Sequence, residues 1–315
     1  MENRVQRIRE EARRLLSEGL VDVVIGFEKG TLPLRSTPIF IRDASDVDKL
    51  VWDSFCGSNL ARYLPKMGDQ RVAVVAKGCD SRAVVALIVE KQIAREKLTI
   101  IGVPCQRMVD WHKVAKAVQG EILEAEERGE EIVVRGDGFE RVLRREDYLA
   151  RACETCAHRN PVLYDILVGE EVEEDASNNY ADVEAFEARP PAERWAYFER
   201  QVSRCIRCYA CRDACPMCYC EECFVDHATP RWIGTGIDPS DIEMWHIVRA
   251  YHQTGRCVEC GACERACPME IPLLYLTKKL CKEVGELYGF EAGMGLEAPP
   301  PLATFSPEDE QGFIR

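Results

Sequence analysis

CIRCYACRDACP at 205–216 and CVECGACERACP at 257–268 are two copies of one pattern. Each reads CxxCxxCxxxCP, the spacing of bacterial-type 4Fe-4S ligation. Three closely spaced thiolates wrap one cubane, and the fourth, set off by three residues and a proline, reaches the neighbouring one. That rule assigns Cys205, Cys208, Cys211 and Cys267 to one cluster, and Cys257, Cys260, Cys263 and Cys215 to the other. Disulfides would need an oxidising compartment, and zinc takes paired ligands rather than two identical runs of four. The pattern implies two 4Fe-4S clusters and one-electron transfer.

The rest of the chain suits that chemistry. Its 315 residues are 46% hydrophobic and 30% charged, enough for two domains with their own cores. No apolar signal core follows the charged start MENRVQRIREEARRLL, so 17 cysteines imply cytoplasmic, metal-binding thiols. A net charge of −13 argues against nucleic acid. No apolar run is long enough for membrane insertion.

Upstream, periodicity predicts a helix over 5–19 and strands at Val21–Ile25 and Pro38–Ile41. Val47, Leu50 and Val51 recur at helical spacing after the candidate caps Asp43 and Ser45. A strand at Val72–Ala76 leads through Lys77-Gly78-Cys79-Asp80 into a helix over 81–92. Another strand, Leu98–Val103, ends in Pro104-Cys105. Strands alternating with helices predict an α/β domain with a mostly parallel sheet. Cys79 and Cys105 then fall past the C-terminal ends of parallel strands, where such sheets build sites. Taken singly, either reads as a small buried hydrophobe. With the CxxC of Cys153 and Cys156 they make four candidate ligands for a third 4Fe-4S cluster, zinc being the competing metal.

A strand at Asp165–Val168 precedes an acidic stretch, Gly169 to Glu187, that reads as a solvated linker. Helices are expected at Trp195–Val202, Asp241–Tyr251 and Leu273–Leu287. The gap between the motifs is too long for a compact hairpin ferredoxin. It fits a mainly α-helical ferredoxin, laid out as in succinate dehydrogenase iron–sulfur subunits and heterodisulfide-reductase subunits. The expected division is an α/β domain at 1–172, an acidic linker at 173–192, the ferredoxin domain at 193–290 and an extended tail at 291–315, with Pro299-Pro300-Pro301 and Glu308-Asp309-Glu310.

Five further thiols remain. Cys218, Cys220 and Cys223 with His227 have three readings: a zinc site, substitute ligands for a nearby cluster, or packing around it. Cys56 and Cys281 have no companion and read as buried thiols. His246 falls off the apolar face of its helix and reads as a surface ring. His112, His158 and His252 form no metal pair. Arg204, Arg207 and Arg212 flank the first motif and would raise its potential if they point inward; solvent-facing side chains are the alternative.

Over residues 15–170 the chain resembles the beta subunits of deazaflavin (coenzyme F-420)-linked hydrogenases and dehydrogenases, formate dehydrogenase beta subunits included. The resemblance rests on Gly78-Cys79-Asp80, Gly102-Val103-Pro104-Cys105, and Cys153-Glu154-Thr155-Cys156 leading to Asp165-Ile166-Leu167-Val168-Gly169. It implies a 4Fe-4S cluster on Cys79, Cys105, Cys153 and Cys156, beside a flavin in that family. It implies anaerobic oxidoreductase metabolism as well.

No Gly-rich nucleotide loop and no Ser-His-Asp or paired-carboxylate arrangement stands out. The expected function is therefore an iron–sulfur electron-transfer subunit. It would relay single electrons between partners of a hydrogenase, a formate dehydrogenase or a heterodisulfide-reductase-like flavoprotein, with ferredoxin a further candidate. The alternative is an FAD-containing subunit that itself reduces or oxidises a deazaflavin or nicotinamide. A zinc-based structural or regulatory protein is the third reading, and eight ferredoxin-spaced cysteines speak against it.

Overall fold

Residues 2–177 and 179–303 are described by a computed structural model. Three α/β elements set its frame. Helix α1 (Glu2–Ser17) buries Ile8, Ala12 and Leu15, four and three residues apart, so one helical face packs inward. Strands β1 (Val23–Lys29), β2 (Ser36–Ile41), β3 (Leu50–Val51) and β4 (Val72–Ala76) follow, then helix α2 (Gly78–Val89) and strand β5 (Leu98–Gly102). With β9 (Ile166–Leu167) they form a six-stranded mixed sheet in the order β2-β1-β4-β5-β9, β3 pairing with β1. β1, β4, β5 and β9 run parallel, while β2 and β3 are antiparallel to β1. All five residues of β4 are buried, the apolar run expected of a strand covered on both faces.

The expected helix around Val47 and Leu50 is instead a short 3-10 turn capped by Asp43, whose carboxylate accepts from Ser45 N at 2.8 Å, running into β3. Helix α3 (Trp111–Ala117) leads to a second, antiparallel sheet of β6 (Ile122–Arg128), β7 (Glu131–Gly136) and β8 (Phe139–Arg144). No strand is expected there from the periodicity above, and the sheet is a finding of the structure. Its signal is Asp137-Gly138, a two-residue hairpin turn after the β-branched run Ile132-Val133-Val134, and Gly138 takes φ 74° there.

Helix α4 (Arg151–Glu154) carries Cys153, and the regular elements described after β9 are helices. Within the expected linker, Ala181–Glu187 forms helix α5. Its acidic side chains pair with the later helix α10 (Leu274–Tyr288): Lys278 Nζ lies 2.8 Å from Asp182, and Lys282 Nζ 2.8 Å from Glu187. Asp182 and Glu187 are thus docked, while Glu170, Glu171, Glu173, Glu174 and Asp175 are exposed. Helices α6 (Pro191–Val202) and α8 (Pro239–His252) span the expected positions, and two single-turn helices, α7 (Ala210–Asp213) and α9 (Ala262–Arg265), carry the third cysteine of each triplet. The α/β and helical halves are joined by Arg256, whose Nε and Nη2 grip both oxygens of Glu90 at 2.8 and 2.6 Å. The end of the described chain returns to the first half, where Arg82 donates to Ala292 O at 3.1 and 2.9 Å. Glu308-Asp309-Glu310 lies outside the described residues. No helix among them is long and apolar enough to cross a membrane.

Candidate iron–sulfur centres

The two cysteine runs repeat in backbone as well as in sequence. Arg207 (φ 52°) and Glu259 (φ 56°) occupy equivalent positions, as do Tyr209 (φ 58°) and Gly261 (φ 67°). These left-handed residues turn the chain so that amides face sulfur: Arg207 N lies 3.4 Å from Cys205 Sγ, and Glu259 N 3.4 Å from Cys257 Sγ. A single-turn helix then presents Cys211 and Cys263. Left-handed φ is costly for Arg, Tyr and Glu, and such outliers cluster at sites that use them. Donors aimed at sulfur and soft ligands in fours fit a thiolate-bound cluster. All 17 cysteines are free thiols.

The thiols fall into sets. Cys205 is close enough to feel the charge of Cys267 and Cys208, and Cys211 that of Cys205, Cys267 and Cys208. Cys260 faces Cys215 and Cys257, and Cys263 faces Cys215 and Cys260. The fourth cysteine of each run therefore stands with the other run. Cys211, Cys263 and Cys267 share an apolar cluster with Trp245, which packs edge-on to Tyr209 at 5.0 Å. Cys208 is exposed.

Cys79, Cys105, Cys153 and Cys156 line one cavity. Cys79 opens α2 directly after β4, and Cys105 follows β5, where its N–H donates to Arg159 O at 2.9 Å. Met108 N lies 3.4 Å from Cys153 Sγ. Gly78 is needed for space rather than for turning: a Cβ there would stand 2.5 Å from His158 O and 2.8 Å from Arg159 C. Cys260 lines the same cavity and its charge reaches Cys79, so the N-terminal set adjoins the ferredoxin-type sets. Burial pushes Cys105 up to about 12 and Cys156, Cys211 and Cys260 up to about 11. Binding iron would therefore release protons from these sites.

The leftover side chains resolve differently from their sequence reading. Cys218 pairs with Cys215, and its Sγ accepts from Gln253 Nε2 at 3.4 Å. Among the described residues no three His, Cys, Asp or Glu form a group that could hold a single metal ion, which is as true of the cluster thiols as of Cys218, Cys220, Cys223 and His227. His227 lies 3.6 Å from Glu222 instead. Cys281 has a companion after all: α10 brings it against Cys257, 24 residues earlier in the chain. No sequence spacing announces that contact. His246 is buried, not at the surface, and burial followed by the charges of Arg249 and Arg207 lowers it to about 4. Of the three flanking arginines only Arg207 is buried, and it donates to Gly234 O and Gly236 O at 2.6 Å each. Arg212 pairs with Asp226 at 2.8 Å, and Arg204 is exposed.

Residues 201–271 match a family model described as a 4Fe-4S dicluster domain, so this part of the chain is iron–sulfur in kind. Along its length the chain resembles beta subunits of F420-dependent formate dehydrogenase. It is 24% identical to one from Methanocaldococcus jannaschii over 91% of each chain. With formate dehydrogenase 1 subunit beta of Methanococcus maripaludis it shares 28% identity over 93% of this chain and 92% of that one. The similarity thus runs well beyond residues 15–170 and takes in the helical half. A chain of the F420-reducing NiFe hydrogenase complex of Methanosarcina barkeri aligns over 50% of this chain and 59% of its own, at 15% identity and TM-score 0.38.

Proposed function

We propose that this chain is the electron relay of a larger oxidoreductase, with three 4Fe-4S clusters in line. Cys79, Cys105, Cys153 and Cys156 hold the first, Cys257, Cys260, Cys263 and Cys215 the middle one, and Cys205, Cys208, Cys211 and Cys267 the last. One observation carries this reading: Cys260 of the middle set lines the cavity of the N-terminal set, so the first two sites adjoin. When bound, each cluster supplies a one-electron carrier.

The protein's own part is to bind and insulate. Backbone amides of Arg207, Glu259, Met108 and Ile271 point at ligand sulfurs, which favours the reduced, more negative state. The buried apolar clusters around the thiols keep water out of the middle site. The exposed Cys208 marks the end at which a partner subunit meets the path. Relatives named as formate dehydrogenase beta subunits support an assembly with a partner that holds the catalytic site. Cys218 belongs with Cys215, next to the middle cluster, rather than with zinc. The ordered division is a cluster-bearing α/β half followed by the helical two-cluster half.

The reading is tested by stepwise reduction of the anaerobically isolated protein, followed by electron paramagnetic resonance. Uptake of about three electrons per chain into cluster signals, with no reduction by formate or hydrogen alone, is expected for a three-cluster relay. Reduction that appears only in a bound flavin would replace it with the flavoenzyme reading.

A further inference from the structure

Several buried cations among the described residues have carboxylate partners. Lys77 pairs with Asp80 at 2.8 Å, Lys278 with Asp182 at 2.8 Å, and Arg82 with Glu291 at 3.1 Å. Neither Arg249 nor Arg265 forms an ion pair with a carboxylate among the described residues, although the charge of Arg265 is felt by its neighbour Glu264. Arg249, on α8, is 5% exposed, and its Nη2 donates to Cys211 O at 3.0 Å. Arg265, in α9, is partly buried, and its Nη2 donates to Gly57 O at 2.5 Å and Cys260 O at 2.9 Å. Arg249 Nε and Arg265 Nη1 are buried without a partner.

The surroundings of both guanidiniums are thiols. Burial works against the charge of Arg249, and Cys215, Cys263, Cys218 and Cys211 sustain it. For Arg265 burial is likewise opposed by Cys153, Cys260, Cys79 and Cys263. Each arginine thus faces ligands of two consecutive sets. A buried cation without an ion-pair partner is costly, so negative charge is expected where the thiols are. A cluster held by four thiolates supplies it on both sides.

We propose that Arg249 and Arg265 are the junction cations of the electron path, Arg249 between the last and middle clusters and Arg265 between the middle and first. The inference rests on the three-cluster reading. Reduction of a cluster adds one electron and no proton, so its net charge becomes one unit more negative. A fixed cation in a poorly screened interior favours that state. Each arginine therefore raises the reduction potential of the two clusters it faces, and the middle cluster responds to both. Both are positioning residues: they touch ligand carbonyls, not the path's partners.

The test is a set of midpoint potentials, read by electron paramagnetic resonance in the intact chain, for wild type, Arg249→Gln, Arg265→Gln and the two Arg→Lys variants. Signals are assigned with Cys79→Ser and Cys208→Ser. In Arg249→Gln the last and middle clusters shift to lower potential and the first stays put. In Arg265→Gln the first and middle clusters shift and the last stays put. The Lys variants stay near wild type. A Gln variant that loses iron where its Lys counterpart keeps it also supports the charge as the cause. Potentials indifferent to Gln, shifts in the wrong clusters, or Lys variants that behave as Gln would overturn the proposal while the three-cluster reading stands. Missing clusters in the wild type itself would overturn both.

Discussion

Lys77 and Asp80 form an ion pair closed off from water, Nζ to Oδ2 at 2.8 Å, directly beneath Cys79. The two partners are not equally provided for. Asp80 also accepts from Lys77 N at 2.9 Å and Leu60 N at 3.2 Å, and Lys77 has in addition Ser58 O at 2.9 Å and the ring faces of Phe27 and Trp52. Removing the carboxylate strands a cation and two amides, while removing the amine leaves a carboxylate that still has donors. Asp80→Ala should cost about 3–5 kcal/mol, and Lys77→Met less, in chemical denaturation of the anaerobic protein. Equal costs would mean that the pair is held chiefly by its own attraction.

Two glycines predict opposite signs. A Cβ on Gly78 meets the backbone of 158–160, so Gly78→Ala must push that segment away from Cys79. A loss of about 1–3 kcal/mol is expected, with iron lost first from the N-terminal site. Gly285 lies inside α10 with open space where its Cβ would be. Gly285→Ala should stabilise by up to about 1 kcal/mol through helix propensity alone. Thermal melts of the two variants give the comparison.

His246 makes stability fall in mild acid. Its folded value of about 4 lies below the ordinary 6.5, so between those values the unfolded chain takes up a proton that the folded chain refuses. Stability is full above pH 6.5 and declines toward pH 4, by roughly 3 kcal/mol at the limit. His246→Leu should flatten the dependence of Tm on pH between 5 and 6.5. A slope unchanged by the substitution would show that other groups dominate it.

The cysteine runs were legible because ligation fixes spacing, and a repeat at an interval of 52 residues, Cys205 to Cys257, shows in any reading of the chain. Strands β4 and β5 were legible because full burial demands unbroken apolar runs. What escaped was long-range. Nothing near Cys281 tells that α10 returns it to Cys257, and nothing about Arg249 tells that its helix face is turned inward. His246 was misplaced for the same reason: burial against α5, α6 and α10 is a property of the packing, not of the α8 sequence. Helix α5 was hidden by its acidity, since a face of carboxylates looks solvated until the lysines of α10 are found opposite.

The arrangement as a whole is tested most directly by the iron and acid-labile sulfide content of the protein isolated without oxygen. Three cubanes per chain require about twelve of each, falling to about eight in Cys79→Ser without loss of the ferredoxin-type signals. Zinc in place of iron, or a wild type with no more iron than Cys79→Ser, would contradict the three-cluster relay.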